Sequence, residues 1–136
     1  MASPQRTPEY VTEEDYLAFD LASEFKNEYA NGQIYMMAGA SPLHSDICTN
    51  LMLDIGNQLD RQKCRITQSD MRIKIHRKNA YRYPDIVVTC GERQYAENAK
   101  PLTQINPTVL AEVLSNPAGA HPFKSPKEER CLMCAP

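Results

Sequence analysis

Apolar residues recur at four-residue spacing through Ile47, Leu51, Ile55 and Leu59, and Cys48 and Met52 widen the stripe. That spacing predicts a long helix opening at Ser41 or Pro42 and reaching about Gln62. Elsewhere the period falls to two. Met71, Ile73 and Ile75 alternate with Arg72, Lys74 and His76, which predicts a strand over 70–76 with one face in water. The segments 81–90 and 108–115 carry unbroken apolar runs, Ile86-Val87-Val88 and Val109-Leu110-Ala111, which suit strands covered on both faces. A further short strand is predicted over 64–67.

Ahead of the long helix the polar positions do the marking. Thr12 can cap a short helix running to about Asp20, and Glu13, Glu14 and Asp15 give it an acidic first turn that suits the helix dipole. Asn31-Gly32 between two strand-like runs is a strong hairpin signal. Residues 91–106 read as a polar loop with a helical turn near 95–100. The order of elements predicts an α/β fold, a mixed sheet packed against the long helix and preceded by a short helix and a hairpin.

At 136 residues the chain suits one domain with a real core. A net charge of −2 offers no bulk attraction to nucleic acid, so such binding needs a local patch. Arg72, Lys74, Arg77, Lys78 and Arg82 cluster around one strand pair and are the candidate phosphate contacts; a charged, solvated hairpin is the plainer reading. The apolar runs fall short of the roughly 18 residues a membrane span needs. Residues 1–9 lack the apolar stretch of a signal peptide, so a cytoplasmic location is the default. No membrane partner and no organic cofactor are expected.

The five cysteines, at 48, 64, 90, 131 and 134, are odd in number and scattered, which predicts reduced, buried thiols. Cys131 and Cys134 form a C-x-x-C with no second pair and only His121 nearby, a weak case for zinc or redox chemistry.

The chemistry concentrates at Pro84-Asp85 and Glu112. An acidic residue inside an apolar run carries a desolvation cost unless it is paired or bound to metal. Two carboxylates at the ends of two strands can hold one hard cation such as Mg²⁺. The bland alternative is a turn at Pro84-Asp85 and a solvated Glu112. The two are expected on neighbouring strands, close enough to share one ion. Removing Asp85 is then expected to relieve like-charge repulsion.

Glu28-Tyr29 with Asn31-Gly32, Ser41-Pro42-Leu43-His44, Tyr83-Pro84-Asp85-Ile86-Val87-Val88 and Glu112-Val113-Leu114-Ser115 occur in that order. Over about residues 9–117 the chain resembles the Uma2 family of restriction-endonuclease-like proteins, of the PD-(D/E)XK superfamily. The resemblance implies a domain over 1–117, a restriction-endonuclease-like fold and a metal-dependent endonuclease that hydrolyses DNA phosphodiester bonds with Mg²⁺ or Mn²⁺. It implies Asp85 and Glu112 as metal ligands and catalytic residues, with Glu28 and His44 as further catalytic positions. One departure stands out. The third residue of the half-motif is Leu114, where lysine is expected. The family's lysine lies on a following helix after an Asp-Arg pair, and this chain has Pro122 and Pro126 near those places. Lys124 and Lys127 are close but out of register, and Pro117 also opposes a helix. Residues 118–136 are expected to be an irregular tail. A nuclease-derived binding or interaction module that no longer cuts is therefore the competing reading, and a structural dimer subunit without ligand is a third. A homodimer is expected in any case, from apolar surface at Met36, Met37, Tyr81 and Tyr83.

Overall fold

The structure is a computed structural model that describes residues 9–37, 39–97 and 102–114. Thr12 caps the first helix, α1 (Glu13–Ala22), its hydroxyl accepting from the Asp15 N–H at 3.1 Å. Strands β1 (Asn27–Ala30) and β2 (Gln33–Met36) form the expected hairpin, in register from Asn27↔Met36 to Ala30↔Gln33. Asn31 and Gly32 both take positive φ, 46° and 83°, as a two-residue turn of this twist requires. Gly32 is required on a second ground: a Cβ there would come within 2.1 Å of the Tyr10 ring.

Helix α2 (Pro42–Gln58) begins where Ser41 accepts from the His44 N–H at 3.2 Å, with Pro42 in the first turn. It ends at Gln58 and not near Gln62. Asp60 is the reason: its carbonyl takes the N–H groups of Lys63 and Cys64, and its carboxylate takes that of Gln62, folding the chain into a turn. The half-buried positions of α2 are His44, Cys48, Met52 and Ile55, with Gly56 buried and the C-cap Leu59 half-buried. Leu43, Ile47, Leu51 and Leu53 are exposed. The sheet therefore covers the flank of the apolar stripe that Cys48 and Met52 supply.

The remaining strands are β3 (Cys64–Gln68), β4 (Arg72–Ile75), β5 (Ala80–Arg82), β6 (Ile86–Cys90), β7 (Thr103–Gln104) and β8 (Val109–Ala111). They form two sheets. One runs β2-β1-β5-β4-β7 and is mixed, because β4 and β7 are parallel; the other is the antiparallel β3-β6-β8. The fold is mixed α/β, as expected, but 81–90 is not one strand. Pro84, fully buried, has no N–H to give a ladder. The chain leaves one sheet at Arg82 and joins the other at Ile86. Nor is 91–106 simply a loop. Tyr95 bridges Gln104, β7 pairs with β4, and the buried Gln104 amide donates to Thr89 Oγ1 on β6 at 2.7 Å, which ties β7 to the other sheet. The end of the predicted turn at 95–100 lies outside the described residues.

Two clusters form the core. Tyr16, Tyr29 and Tyr81 meet with ring centroids 5.0–6.0 Å apart. Ile73, Val87 and Leu110 pack between the sheets with Met71 and Ile75 against them. The expected wet face of β4 is not wet. Arg72 is buried, 2.7 Å from Asp20 Oδ2, and donates through Nε to Thr103 Oγ1. Its guanidinium lies against the Tyr16 and Tyr81 rings.

The reduced-thiol expectation also fails in part. Cys64 and Cys90 stand directly opposite in the β3–β6 register and are disulfide-bonded. Tyr81 and Tyr83 are buried and offer no surface to a partner. No helix among the described residues is long and apolar enough to cross a membrane. The tail at 118–136, with Lys124, Lys127 and the C-x-x-C, lies outside the described residues.

Candidate functional site

Strands β6 and β8 pair through Ile86↔Ala111, Val87↔Leu110 and Val88↔Val109. Carried one step further, that register sets Asp85 opposite Glu112, and residues opposite one another across an antiparallel pair share a face. Both strands stop just short of these two residues. The chain holds together there by another contact: the Val113 N–H donates to Asp85 Oδ2 at 2.7 Å. The Asp85 carboxylate is thus oriented by the backbone next to Glu112. Its side chain is 12% exposed.

His44 enters from the first turn of α2. Its Nε2 lies 3.4 Å from Asp85 Oδ2 and 3.2 Å from the Val113 carbonyl oxygen. Cys48 is one helical turn further on, its Sγ 3.7 Å from His44 Nδ1 and 3.9 Å from Nε2. Ligand atoms of His44, Cys48 and Asp85 all lie within 4.8 Å of one another, a group that does not include Glu112. Cys48 was absent from the sequence-derived site. Its signal was present, since His44 and Cys48 are four apart on a predicted helix and so share a face.

Glu28 is not one of the three grouped donors. It is buried on β1, accepts from the Tyr83 N–H at 3.1 Å and lies 3.8 Å from Arg82. It therefore fastens the crossing from β5 to β6 that presents Asp85. Tyr83 is fastened at its other end, donating to Asp20 Oδ2 at 2.6 Å. Burial, then the neighbouring Asp20 carboxylate, pushes the Tyr83 hydroxyl pKa well up.

The five basic residues do not form one patch. Arg72 is committed to the core. Lys74 pairs with Glu13 at 2.8 Å and lies over the Tyr81 ring. Arg82 is mostly covered beside Glu28. Arg77 and Lys78 alone face solvent, on the short 3-10 helix His76–Lys78. The alternation that placed Arg72 and Lys74 in water overlooked Asp20 and Glu13 on α1, which supply buried and half-buried counter-charges. A groove of about 590 Å3 lined by Lys63, Arg65, Arg93 and Tyr95 opens at the Cys90 end of β6, the end away from Asp85.

The chain is similar to known proteins in sequence and in fold. The Uma2 family model, described as "Putative restriction endonuclease", matches residues 13–120. The chain is 36% identical over 113 residues to "Uncharacterized protein slr1290" of Synechocystis sp. (strain ATCC 27184 / PCC 6803 / Kazusa), across 83% of this chain and 58% of that protein. It is 32% identical over 112 residues to "Uncharacterized protein sll1609" of the same organism, across 82% of this chain and 63% of that protein. It thus spans less than two thirds of either relative. The fold matches the crystal structure of "a putative nuclease belonging to DUF820" from Anabaena variabilis ATCC 29413, with TM-score 0.65 and 23% identity, over 87% of this chain and 65% of that one. The chain belongs to the Uma2 family of restriction-endonuclease-like proteins.

Proposed function

We propose that the chain carries the metal-holding part of a DNA endonuclease site, with Asp85 and Glu112 as the ligands of one Mg²⁺ or Mn²⁺. The observation that carries this reading is the β6–β8 register, which ends at Ile86↔Ala111 and, extended by one residue, would set Asp85 opposite Glu112. The donor set suits a hard cation: two carboxylates, one of them oriented by a backbone N–H, which with water and phosphate oxygens would make an all-oxygen shell. When bound, such an ion lowers the pKa of a coordinated water and neutralises charge on a phosphodiester.

The chain's own residues supply orientation. Val113 N–H and His44 Nε2 fix one Asp85 oxygen, and Glu28 fixes the Tyr83 backbone two residues earlier. His44 and Glu28 act here as positioning residues. Arg77 and Lys78, the exposed members of the basic group, are the proposed contacts to DNA phosphates. Leu114 stands where the half-motif has lysine, and Pro122 and Pro126 stand near the places of the family's Asp-Arg pair and lysine; both departures favour slow turnover, since a lysine would stabilise charge developing in the transition state. The protein is proposed to act as a homodimer in the cytoplasm, through the exposed apolar face of α2.

Nicking of supercoiled plasmid tests the reading. Slow nicking with Mg²⁺ or Mn²⁺, lost with chelator, in Asp85→Ala and in Glu112→Ala, is expected. Metal-dependent DNA binding without nicking would instead support the non-cutting module that the missing lysine segment favours. Neither nicking nor metal-dependent binding would sink both.

A further inference from the structure

We propose that His44, Cys48 and Asp85 form a binding site for a thiophilic divalent cation of the zinc class. The site shares Asp85 with the nuclease reading but does not require that reading. Three unlike donors, an imidazole, a thiol and a carboxylate, converge from α2 and the β5–β6 crossing to within 4.8 Å of one another.

The separations fit tetrahedral coordination. With metal–nitrogen and metal–oxygen bonds of about 2.1 Å and a metal–sulfur bond of about 2.3 Å, tetrahedral geometry sets nitrogen and oxygen ligands about 3.4 Å apart and nitrogen and sulfur ligands about 3.6 Å apart. His44 Nε2 lies 3.4 Å from Asp85 Oδ2 and 3.9 Å from Cys48 Sγ. The third edge, Cys48 to Asp85, is no longer than 4.8 Å. It closes to about 3.6 Å on binding.

The donor chemistry selects the ion. Mg²⁺ prefers an all-oxygen octahedron and retains its waters, whereas thiolate and imidazole favour zinc. The thiolate and the carboxylate together balance the charge of a divalent ion. The thiol proton leaves to solvent, and for Nε2 to bind, the neutral imidazole carries its proton on Nδ1 and gives up the Nε2 contact with the Val113 carbonyl. Three protein ligands leave the fourth position open to water or an incoming group. The half-buried His44 and Asp85 side chains, 16% and 12% exposed, limit hydration at the site. The Val113 N–H bond that orients Asp85 is the kind of outer contact that supports a metal ligand. An ion held here ties α2 to the crossing and takes Asp85 away from Mg²⁺.

Cobalt(II) titration of the full chain tests the proposal, because cobalt reports thiolate ligation as a near-ultraviolet charge-transfer band. The wild type is expected to develop the band, and Zn²⁺ to erase it. The band should survive in Cys131→Ser/Cys134→Ser and in Glu112→Gln. It should vanish in Cys48→Ser. In His44→Ala, cobalt affinity should fall at least about tenfold, the loss that follows removal of even an outer partner of a metal ligand. No band in the wild type, or a band that persists in Cys48→Ser, would overturn the site. Plasmid nicking with Mg²⁺ by zinc-free protein is read separately. Its absence counts against the nuclease reading and leaves the cobalt result standing; nicking without a cobalt band removes the zinc-class site alone.

Discussion

The Val113 N–H points at Asp85 Oδ2 across 2.7 Å, so the carboxylate at the head of β6 is held by the backbone that follows Glu112. This contact opposes the relief of like-charge repulsion expected on removing Asp85. Removing Asp85 relieves charge repulsion but leaves a largely buried N–H without its acceptor. A hydrogen bond to a charged group is worth about 1.5–3 kcal/mol, so Asp85→Ala should destabilise the metal-free protein by about that much.

The same variant tests metal linkage. A cation that binds the folded state alone, at a hundred times its Kd, stabilises by about 2.7 kcal/mol. Mg²⁺ or Mn²⁺ should therefore raise the wild-type melting temperature and leave that of Asp85→Ala unmoved. Equal rises in both proteins would place the cation elsewhere.

Asp20 and Arg72 make the most heavily buried ion pair of the described structure, with side chains 2% and 0% exposed. Asp20 also accepts from Tyr83 and from the Asn27 backbone, so α1, β1, β4 and the β5–β6 crossing meet on one carboxylate. Breaking a buried pair from one side costs about 3–5 kcal/mol, because the other charge stays buried. Arg72→Met should lose about that much in urea unfolding. The double variant Asp20→Asn/Arg72→Met should lose clearly less than the sum of the singles. Strict additivity would show that the two side chains do not act together.

Glu13 and Lys74 give a pH signature. The hydrogen bond from Lys74 holds the Glu13 pKa below its ordinary 4.5, against the opposing effect of burial. A carboxyl lowered on folding adds stability above pH 4.5 and loses it as pH falls through the folded value. Burial works to lower the Lys74 pKa, yet its bonds to Glu13 and Tyr81 leave it raised above 10.5. Its contribution is therefore complete below pH 10.5 and lost above. In urea unfolding followed across pH, the gap between wild type and Glu13→Gln should be flat near neutrality and shrink on acidification. A gap that stays constant through acid would show that the bond does not lower the Glu13 pKa.

Leu43, Ile47 and Leu51 lie at four-residue spacing on α2 and are 69%, 39% and 38% exposed. An apolar stripe of this kind suits a second copy of the chain. Sedimentation at micromolar concentration should show a dimer, and Ile47→Lys/Leu51→Lys a folded monomer. A monomeric wild type would remove the homodimer from the proposed function.

Periodicity and caps were sufficient for α1, the Asn31-Gly32 hairpin and the start of α2, because those depend on neighbours in the chain. The breaks were not legible from apolar runs alone. Pro84 stood in view inside 81–90, yet its consequence, a change of sheet, depends on Glu28 and Asp20 seizing both ends of Tyr83. Arg72 looked wet because the sequence does not say that Asp20 waits opposite. Asp85 and Glu112 could be paired only from the ends of their strands, and the β6–β8 register ends one residue short of them. Cys48 escaped because a cysteine on an apolar stripe reads as packing until His44 and Asp85 are placed beside it.

Leu114 offers a direct test of what the nuclease site lacks. It follows Glu112 by two residues, and alternate residues of extended chain project to the same side. A lysine there would stand beside Glu112 and could reach the phosphate under attack. The position is 54% exposed, so Leu114→Lys removes little packing and should fold. Placing one such donor against developing negative charge is worth about 10²–10³ in rate. Plasmid nicking with Mg²⁺ should accordingly rise about a hundredfold in Leu114→Lys, at the lower end of that range, and the gain should vanish when Asp85→Ala is added. If Leu114→Lys folds, binds Mg²⁺ and cuts no faster than wild type, the missing lysine at this position is not what limits the site. A gain that persists in Asp85→Ala would mean that the added charge merely strengthens DNA binding.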